Sequence, residues 1–509
     1  MTILLTMLPY VFAQAASGPD HVFAGLLSNP IDGNTYLAKM YEGWRGEWRF
    51  SLPYTADPGQ GAFLFLYYLF LGHVARWLGL SLLAVYHAAR LAGVLFLLLA
   101  LQRFFAVHLP GPRSQALAFG LSALGTGLGW LAAPLGATTS DFWVAEAYPF
   151  LSAYAAPHFS LGLALLLWLL AEGGGLAAFF ASAALSIVSP FGVVIAVVVL
   201  AGMAVWQAVF QAGRPGLPAS LSSRSWLQLW AYRLRSPAAS RLGWACLGGA
   251  PLLLYDLWVA HSNPTLAGWN AQNLTPAPPV WDLLIALSPA LLLAVAGAWG
   301  VLRGGLPAGR LLLAWAGLGL LLVYLPFGLQ RRFMMGLFVP LAGLAALGIE
   351  VLTSRRPWRW NTRALGLLLF SLPTGLFVLL AARQGAQTHD PLLYLTRSEA
   401  AGLAWITQNT PPRGLVLAAP ETGLFIPAQT GRRVLYGHPF ETVNAAGEQA
   451  AVEGYFLSGG ADQALLARRG VDYVFFGPRE RRLAGPTLAG TGLTLAYTSG
   501  DVTIYAVQR

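Results

Sequence analysis

NPIDGNTYLAKMYEGWRGEW, residues 29–48, is the first polar stretch of the chain, and it places an acid, Asp32, just beyond one short apolar segment and ahead of many longer ones. An amphipathic run follows the acid, and almost everything else reads as dissolved in lipid. Two readings of Asp32 stay open at this level. It is either a carboxylate held at a membrane face for chemistry or an ordinary solvated loop acid.

Composition sets the class. The chain has 509 residues, 56% hydrophobic and 10% charged, with a mean hydropathy of +0.58. Soluble domains carry about 25% charged residues, so the composition excludes a soluble globule and predicts a polytopic α-helical membrane protein. The net charge of +10 comes almost wholly from arginine, since Lys39 is the single lysine. The single cysteine, Cys246, lies inside an apolar run, which leaves no disulfide framework and no thiolate metal cluster to consider.

A helical span takes roughly 20 apolar residues. Segments suited to crossing recur at about 84–106, 115–134, 157–172, 175–190, 191–211, 243–260, 281–302, 310–326, 333–352 and 364–382. The N-terminal TILLTMLPYVFAQAA, residues 2–16, is short for a span and reads as an abbreviated first one, which makes eleven. A cleaved signal peptide is the alternative, and the missing basic n-region speaks against it. Residues 60–79, QGAFLFLYYLFLGHVARWLG, are also apolar, but counting them as a crossing would put the arginine-rich loops on the wrong side. They are expected to form an interfacial or re-entrant helix, with Phe63, Phe65, Tyr67, Tyr68 and Phe70 at headgroup level.

With the N-terminus inside, the cytoplasmic loops hold Arg103 and Arg113, then Arg214, Arg224, Arg233, Arg235 and Arg241, then Arg303 and Arg310, then Arg355, Arg356, Arg359 and Arg363. Short arginine-rich loops are retained in the cytoplasm. Asp32, the 135–156 loop, the 261–280 loop and the C-terminus are therefore expected outside the cytoplasmic (inner) membrane. The same placement gives the arginines a topogenic role and leaves little case for nucleic acid. In the 213–242 connection, Trp226, Trp230 and Arg233 recur at helical spacing, so a surface helix and a plain solvated loop both stay open.

Beyond about residue 388 acids return and apolar runs shorten. Strand-like GLVLAA, RRVLYG, VDYVFFG and VTIYAV alternate with helical stretches at 397–409, 442–457 and 461–469. A small α/β domain of residues 388–509 is expected there, tethered by ARQGAQTHDP to a membrane domain of residues 1–387 whose amphipathic first outer loop covers 18–80.

A first outer loop reading P-x-D-x-x-x-Y (Pro30, Asp32, Tyr36), then amphipathic juxtamembrane helices, many spans and an outer domain, resembles the GT-C superfamily of polyprenyl-phosphate-dependent glycosyltransferases, which includes protein O-mannosyltransferases and the lipid A aminoarabinose transferase. The resemblance covers the plan of the whole chain and few residues by motif. It implies that Asp32 is the catalytic base that takes the acceptor hydroxyl's proton as the sugar's anomeric carbon is attacked. Tyr36, four residues later, either faces the same way and orients the acid or anchors at the membrane interface.

The second outer loop, TTSDFWVAEAYPFLSAYAAPHF, brings Asp141, Glu146 and His158 to the position where some family members hold a divalent cation on the donor's phosphates. Asp and Glu oxygens suit Mg²⁺ or Mn²⁺, yet neither DGN at 32–34 nor DFWVAE is a D-x-D, which leaves metal dependence open. His158, after Pro157, is either functional or a capping residue.

PFGLQRRFMMGLFVP places Arg331 and Arg332 at the outer end of a span, against the retention trend. A guanidinium offers phosphate a planar fork of donors, so these two are candidates for the lipid carrier's phosphate, with snorkelling to headgroups as the alternative. HSNPTLAGWNAQN offers Trp269, Asn270 and Asn273 for sugar contact, although an interfacial belt also explains Trp269. In APETGLFIPAQTGRRVLYGHPFET, Glu421, Arg432, Arg433 and His438 fall near strand ends, where loops make sites; Glu421 and His438 are the substrate-lining candidates, and a solvated surface is the other reading.

The expected function is inverting transfer of a hexosyl or pentosyl group from a polyprenyl-phosphate donor to an extracytoplasmic acceptor. A transporter or lipid flippase is the alternative, but it would place charges deep in its spans and carry an inverted repeat, whereas most spans here hold no deep charge and no inverted repeat shows. A non-catalytic membrane scaffold with a binding outer domain would leave Asp32 dispensable.

Overall fold

The computed structural model describes residues 1–171, 174–210, 236–490 and 492–508. Arg214, Arg224, Trp226, Trp230, Arg233 and Arg235, and with them the suggested surface helix, lie outside the described residues.

Among the described residues five helices are long and apolar enough to cross a membrane: Leu82–His108, Pro190–Val209, Pro237–Ser262, Gln330–Thr353 and Pro357–Gln387. Two more candidates are bent pairs, Pro112–Leu124 with Gly129–Leu135 at 46°, and Val280–Ala286 with Ala290–Leu302 at 87°. Thr2–Ala15, Pro157–Ala171, Leu176–Val188 and Pro307–Val323 are shorter apolar helices. Each apolar segment read from the sequence thus coincides with an apolar helix, and the chain is a helical membrane protein. Residues 60–79 are helical only over Leu66–Leu78, because Phe65 takes a left-handed conformation at the N-cap and Gly79 ends the helix in another.

The chain folds as two compact units. One comprises Met1–Leu4, Arg90–Tyr255 and Thr275–Leu379. Its center is helix Phe338–Thr353, apolar on every face and buried on every face from Phe338 to Ile349, with Glu350 and the exposed Leu352 in its last turn. Glycines let its backbone approach a neighbour: a Cβ on Gly297 would lie 2.0 Å from the Leu344 carbonyl, and one on Gly348 would lie 2.0 Å from that of Leu293. Small residues at helix interfaces are how membrane helices gain packing without a hydrophobic drive.

The other unit comprises Leu5–Ala89, Asp256–Leu274 and Leu380–Arg509. It holds a five-stranded sheet in the order Arg433–Val434, Leu415–Leu417, Tyr473–Phe476, Val502–Val507, Leu493–Ser499; the first three strands run parallel and the last two pair antiparallel. The grouping does not follow the chain boundary expected near residue 388. His21–Phe23 pairs antiparallel with Tyr394–Thr396, and Ala24, Ala38 and Tyr54 from the first loop share a buried cluster with Leu395, Val416, Phe425, Phe475 and Ile504. The first loop thus supplies part of the core on which the sheet packs.

Helix Pro30–Trp44, which carries Asp32, crosses Leu66–Leu78 with backbone against backbone. A Cβ on Gly43 would meet the Leu69 carbonyl at 2.0 Å, and one on Gly72 the Met40 carbonyl at 1.9 Å. The acid's helix is therefore set on a rigid pair.

Candidate functional site

Helix Pro30–Trp44 starts where the local sequence dictates. Asn29 adopts a left-handed conformation (φ 46°) that few residues tolerate, its side chain accepts from the Asp32 backbone N–H, and Pro30 begins the helix with the φ it already has. Asp32 falls in the first turn, where the unpaired backbone N–H groups favour a carboxylate. Asn29 Nδ2 donates to Asp32 Oδ2 at 2.5 Å. The Asp32 side chain remains 35% exposed, so it is anchored and still reachable.

Behind it sits His438, 1% exposed, with Nε2 3.4 Å from Asp32 Oδ1. The backbone N–H groups of Phe440 and Glu441 both donate to His438 Nδ1 at 3.0 Å. With Nδ1 accepting, the neutral ring carries its proton on Nε2, on the side of the carboxylate. Of the residues expected from the sequence, the structure thus brings Asp32 and His438 together.

Beneath the acid, Lys39 and Glu441 form a buried ion pair at 2.7 Å, and Lys39 Nζ also donates to Thr35 Oγ1 at 3.2 Å. Lys39 lies 4.4 Å from the Phe65 ring centroid and 5.7 Å from that of Tyr36. Sequence reasoning gave this pair no role. The signal available was a lone lysine at i+4 from Thr35 and i+7 from Asp32, one face of one helix. Tyr36 stacks on Tyr68 with centroids 4.6 Å apart and planes 4° apart, which fixes its ring against the neighbouring helix.

The turn that carries His438 is clamped by helix Pro264–Gln272. Gln272 Nε2 donates to the Phe440 and Thr442 carbonyls at 3.2 and 2.5 Å, and Asn273 Nδ2 to that of Phe440 at 3.1 Å. Asn273 is thus committed to holding the turn. Trp269 meets the Phe65 ring edge-on at 6.0 Å, and its buried Nε1 has no hydrogen-bond partner. Asn270 is half-buried on the same helix. Glu421 stands in solvent, paired with Arg482. Arg432 is buried and donates to the Thr407, Thr410 and Thr430 carbonyls, a structural post. Arg433 lines a cleft instead.

In the other unit, Asp141 is fully buried. Its Oδ2 accepts from the Gly127 and Gly129 N–H groups at 3.1 and 3.0 Å, and its Oδ1 from Thr139 Oγ1 at 2.6 Å. Burial pushes its carboxyl above the usual range, while these hydrogen bonds pull it back. Asp141 therefore pins the break between Pro112–Leu124 and Gly129–Ala132. Glu146 pairs with Arg332 at 3.2 Å, and the Arg331 guanidinium lies 4.9 Å from the Trp143 ring centroid. His158, half-buried, opens helix Pro157–Ala171 with its ring 4.0 Å from that of Phe159.

A divalent cation of the Mg²⁺ or Mn²⁺ class needs about six hard oxygen ligands. Both oxygens of Asp141 are engaged, Glu146 is on an arginine, and among the described residues no three His, Cys, Asp or Glu side chains gather as ligands for one ion. The 141–146 acids do not fit such an ion.

No family model and no curated protein matches the chain. Solved structures do. ArnT from Cupriavidus metallidurans bound to undecaprenyl phosphate aligns with TM-score 0.50 and 13% identity over 99% of this chain and 97% of its own. The archaeal oligosaccharyltransferase AglB from Archaeoglobus fulgidus, in complex with an inhibitory peptide and a dolichol-phosphate, aligns with TM-score 0.50 and 13% identity over 93% of this chain and 69% of its own. Arabinofuranosyltransferase AftD from Mycobacteria gives 0.51 and 15% over all of this chain, which spans 40% of AftD. At such identities the likeness is one of fold: the chain shares the fold of ArnT, of the oligosaccharyltransferase AglB and of the arabinofuranosyltransferase AftD.

Proposed function

We propose that the protein transfers a sugar from a polyprenyl-phosphate-linked donor to an extracytoplasmic acceptor, with Asp32 as general base. The observation that carries this reading is the Asp32 carboxylate itself, held by Asn29, backed by the buried His438 and still open to solvent. Such an acid can take a proton from an acceptor hydroxyl, which is where a base must act. The acceptor oxygen then bonds to the anomeric carbon from the face opposite the carrier, the bond from that carbon to the carrier's phosphate oxygen breaks, and the phosphate leaves with the bonding pair. A single displacement of this kind inverts the anomeric center.

His438 is a positioning residue, its buried Nε2 facing Asp32 Oδ1 at 3.4 Å, an electrostatic contact rather than a hydrogen bond. Arg331 or Arg332 is proposed to hold the carrier's phosphate as negative charge builds on it. The arginine-rich loops support an orientation with Asp32 and residues from 390 onward outside the cytoplasm. The fold neighbours support the donor class, since ArnT and AglB were solved with undecaprenyl phosphate and a dolichol-phosphate. The test is to incubate purified full-length protein in nanodiscs with polyprenyl-phosphate donors carrying radiolabelled hexoses or pentoses and envelope acceptors. Label should pass from carrier to acceptor, and donors that all remain intact would overturn the reading.

A further inference from the structure

At the far end of the Asp32 helix, a cleft of about 370 Å³ opens within the same compact unit. Arg45, Arg49, Arg413 and Arg433 line it against Glu42 and Glu47. What holds these guanidiniums is mostly uncharged. Arg45 Nη1 donates to the Pro412 and Gly431 carbonyls at 2.9 and 2.5 Å, Arg49 donates twice to the Gly61 carbonyl at 3.0 and 2.6 Å, and Arg433 donates twice to the Arg413 carbonyl at 3.1 and 2.9 Å. Carbonyls fix a guanidinium in place without cancelling its charge. The closest ion pair on the lining, Arg413 with Glu47 at 3.4 Å, is between exposed side chains and is worth little. Asp57 and Asp472 act on Arg433 from beside the cleft, and the lining itself, four guanidiniums against two carboxylates, is pre-organised and positive.

An adjoining hollow shares Arg45, Glu47 and Arg413 and adds Arg76 and Trp44, whose ring is 42% exposed. An indole face accepts the apolar C–H face of a sugar ring, while fixed guanidiniums accept carboxylate or phosphate oxygens in forked pairs. Asp32 and Glu42 are ten positions apart on one helix, a rise of about 15 Å. A ligand reaching from the acid to the cleft is an extended one.

We propose that this cleft binds the acidic portion of the acceptor, a saccharide bearing carboxylate or phosphate groups, while the reacting hydroxyl lies at Asp32. The inference rests on the glycosyl-transfer reading for the acceptor role, and the cleft's affinity for an acidic saccharide is measurable without any turnover.

The experiment titrates the full-length protein in detergent with hyaluronan oligosaccharides, with neutral cello-oligosaccharides of equal length, and with phosphatidylglycerol vesicles, and follows binding by calorimetry. Wild type should bind the acidic oligosaccharide at least about tenfold more tightly than the neutral one, and raising the salt concentration should remove the difference. The double variant Arg49→Gln, Arg433→Gln should lose at least that factor, and Arg468→Gln, an exposed cation outside the cleft's lining, should bind as wild type does. Where the double variant fails to fold, the salt response and the acidic-against-neutral contrast in wild type decide the matter. Equal or absent binding of the two oligosaccharides overturns the proposal. Binding of the vesicles alone overturns it too, and makes the cleft a lipid-headgroup site. Acidic-saccharide binding with wild-type turnover in Asp32→Asn would keep the cleft as an anion site and defeat the transfer reading instead.

Discussion

Lys39 and Glu441 stand 402 positions apart in the chain and 2.7 Å apart in space. Pairs of this kind explain why the candidate site was only partly legible. Asp32 could be read from the sequence because its surroundings are local: Asn29 caps, Pro30 starts the helix, and the acid follows two residues on. His438 was legible only as a histidine near a strand end, since nothing in the sequence says which turn will face residue 32. Asp141 went the other way. Its acid in an outer loop suggested a ligand, and the three donors that absorb it come from backbone groups of Gly127 and Gly129 and from Thr139, none of which announces that role. At this scale the prediction concerns the two arginines. If Arg331 or Arg332 grips the carrier's phosphate with a fork, Arg→Lys at that position should weaken donor affinity and Arg→Ala should weaken it further, by about 1.5–3 kcal/mol. The check is the apparent donor affinity of each single variant in nanodiscs, with folding monitored separately. Equal affinity in wild type and both Ala variants would return these residues to headgroup anchoring.

Among the elements, helix Pro30–Trp44 is tied at its far end by a buried acid. Glu42, 3% exposed, accepts from the Ser51 N–H at 3.0 Å and from Ser51 Oγ at 2.9 Å, which fastens the following strap to the helix. Burial pushes its carboxyl up from 4.5 to about 7, with the Ser51 hydrogen bonds and then Arg45 and Lys39 pulling the other way. Because the folded state holds the proton more tightly than the unfolded chain, the stabilisation is complete below about pH 4.5 and is lost as pH rises through about 7. Over that window the loss amounts to roughly 3 kcal/mol. Glu42→Gln keeps the shape and does not titrate, so its melting temperature in detergent should overtake that of wild type between pH 5 and pH 8, and a difference flat in pH would contradict the assignment. The elements themselves were readable where periodicity and punctuation are strong: the strands at 415–417, 433–434, 473–476 and 502–507 and the helices Arg397–Asn409, Ala445–Leu457 and Gln463–Arg469 fall where expected. Pro420–Thr430 was not, because Gly423 and Pro427 inside it and Gly431 just past its end read as a loop, and burial of Leu424, Phe425 and Ile426 in the core holds it helical.

For the whole molecule, hydropathy located every apolar helix among the described residues because lipid imposes the same demand on each segment independently. The folding of residues 5–89 with 380–509 was not legible, since it depends on three-residue strands and scattered core positions whose partners lie hundreds of residues away. The orientation proposed from the arginine-rich loops can be tested directly. In a Cys246→Ser background, single cysteines at 213–242 and 353–363 should react only from the cytoplasmic side, and those from residue 390 onward only from outside. A cytoplasmic C-terminus would remove the extracytoplasmic site.

The most direct test of the central claim is transfer by Asp32→Asn in the radiolabelled-donor assay, because the substitution keeps the side chain's shape and its place beside Asn29 while removing the base. Transfer should fall by roughly 10²- to 10⁴-fold, with expression, melting temperature and donor affinity as in wild type. Turnover equal to wild type would contradict the account.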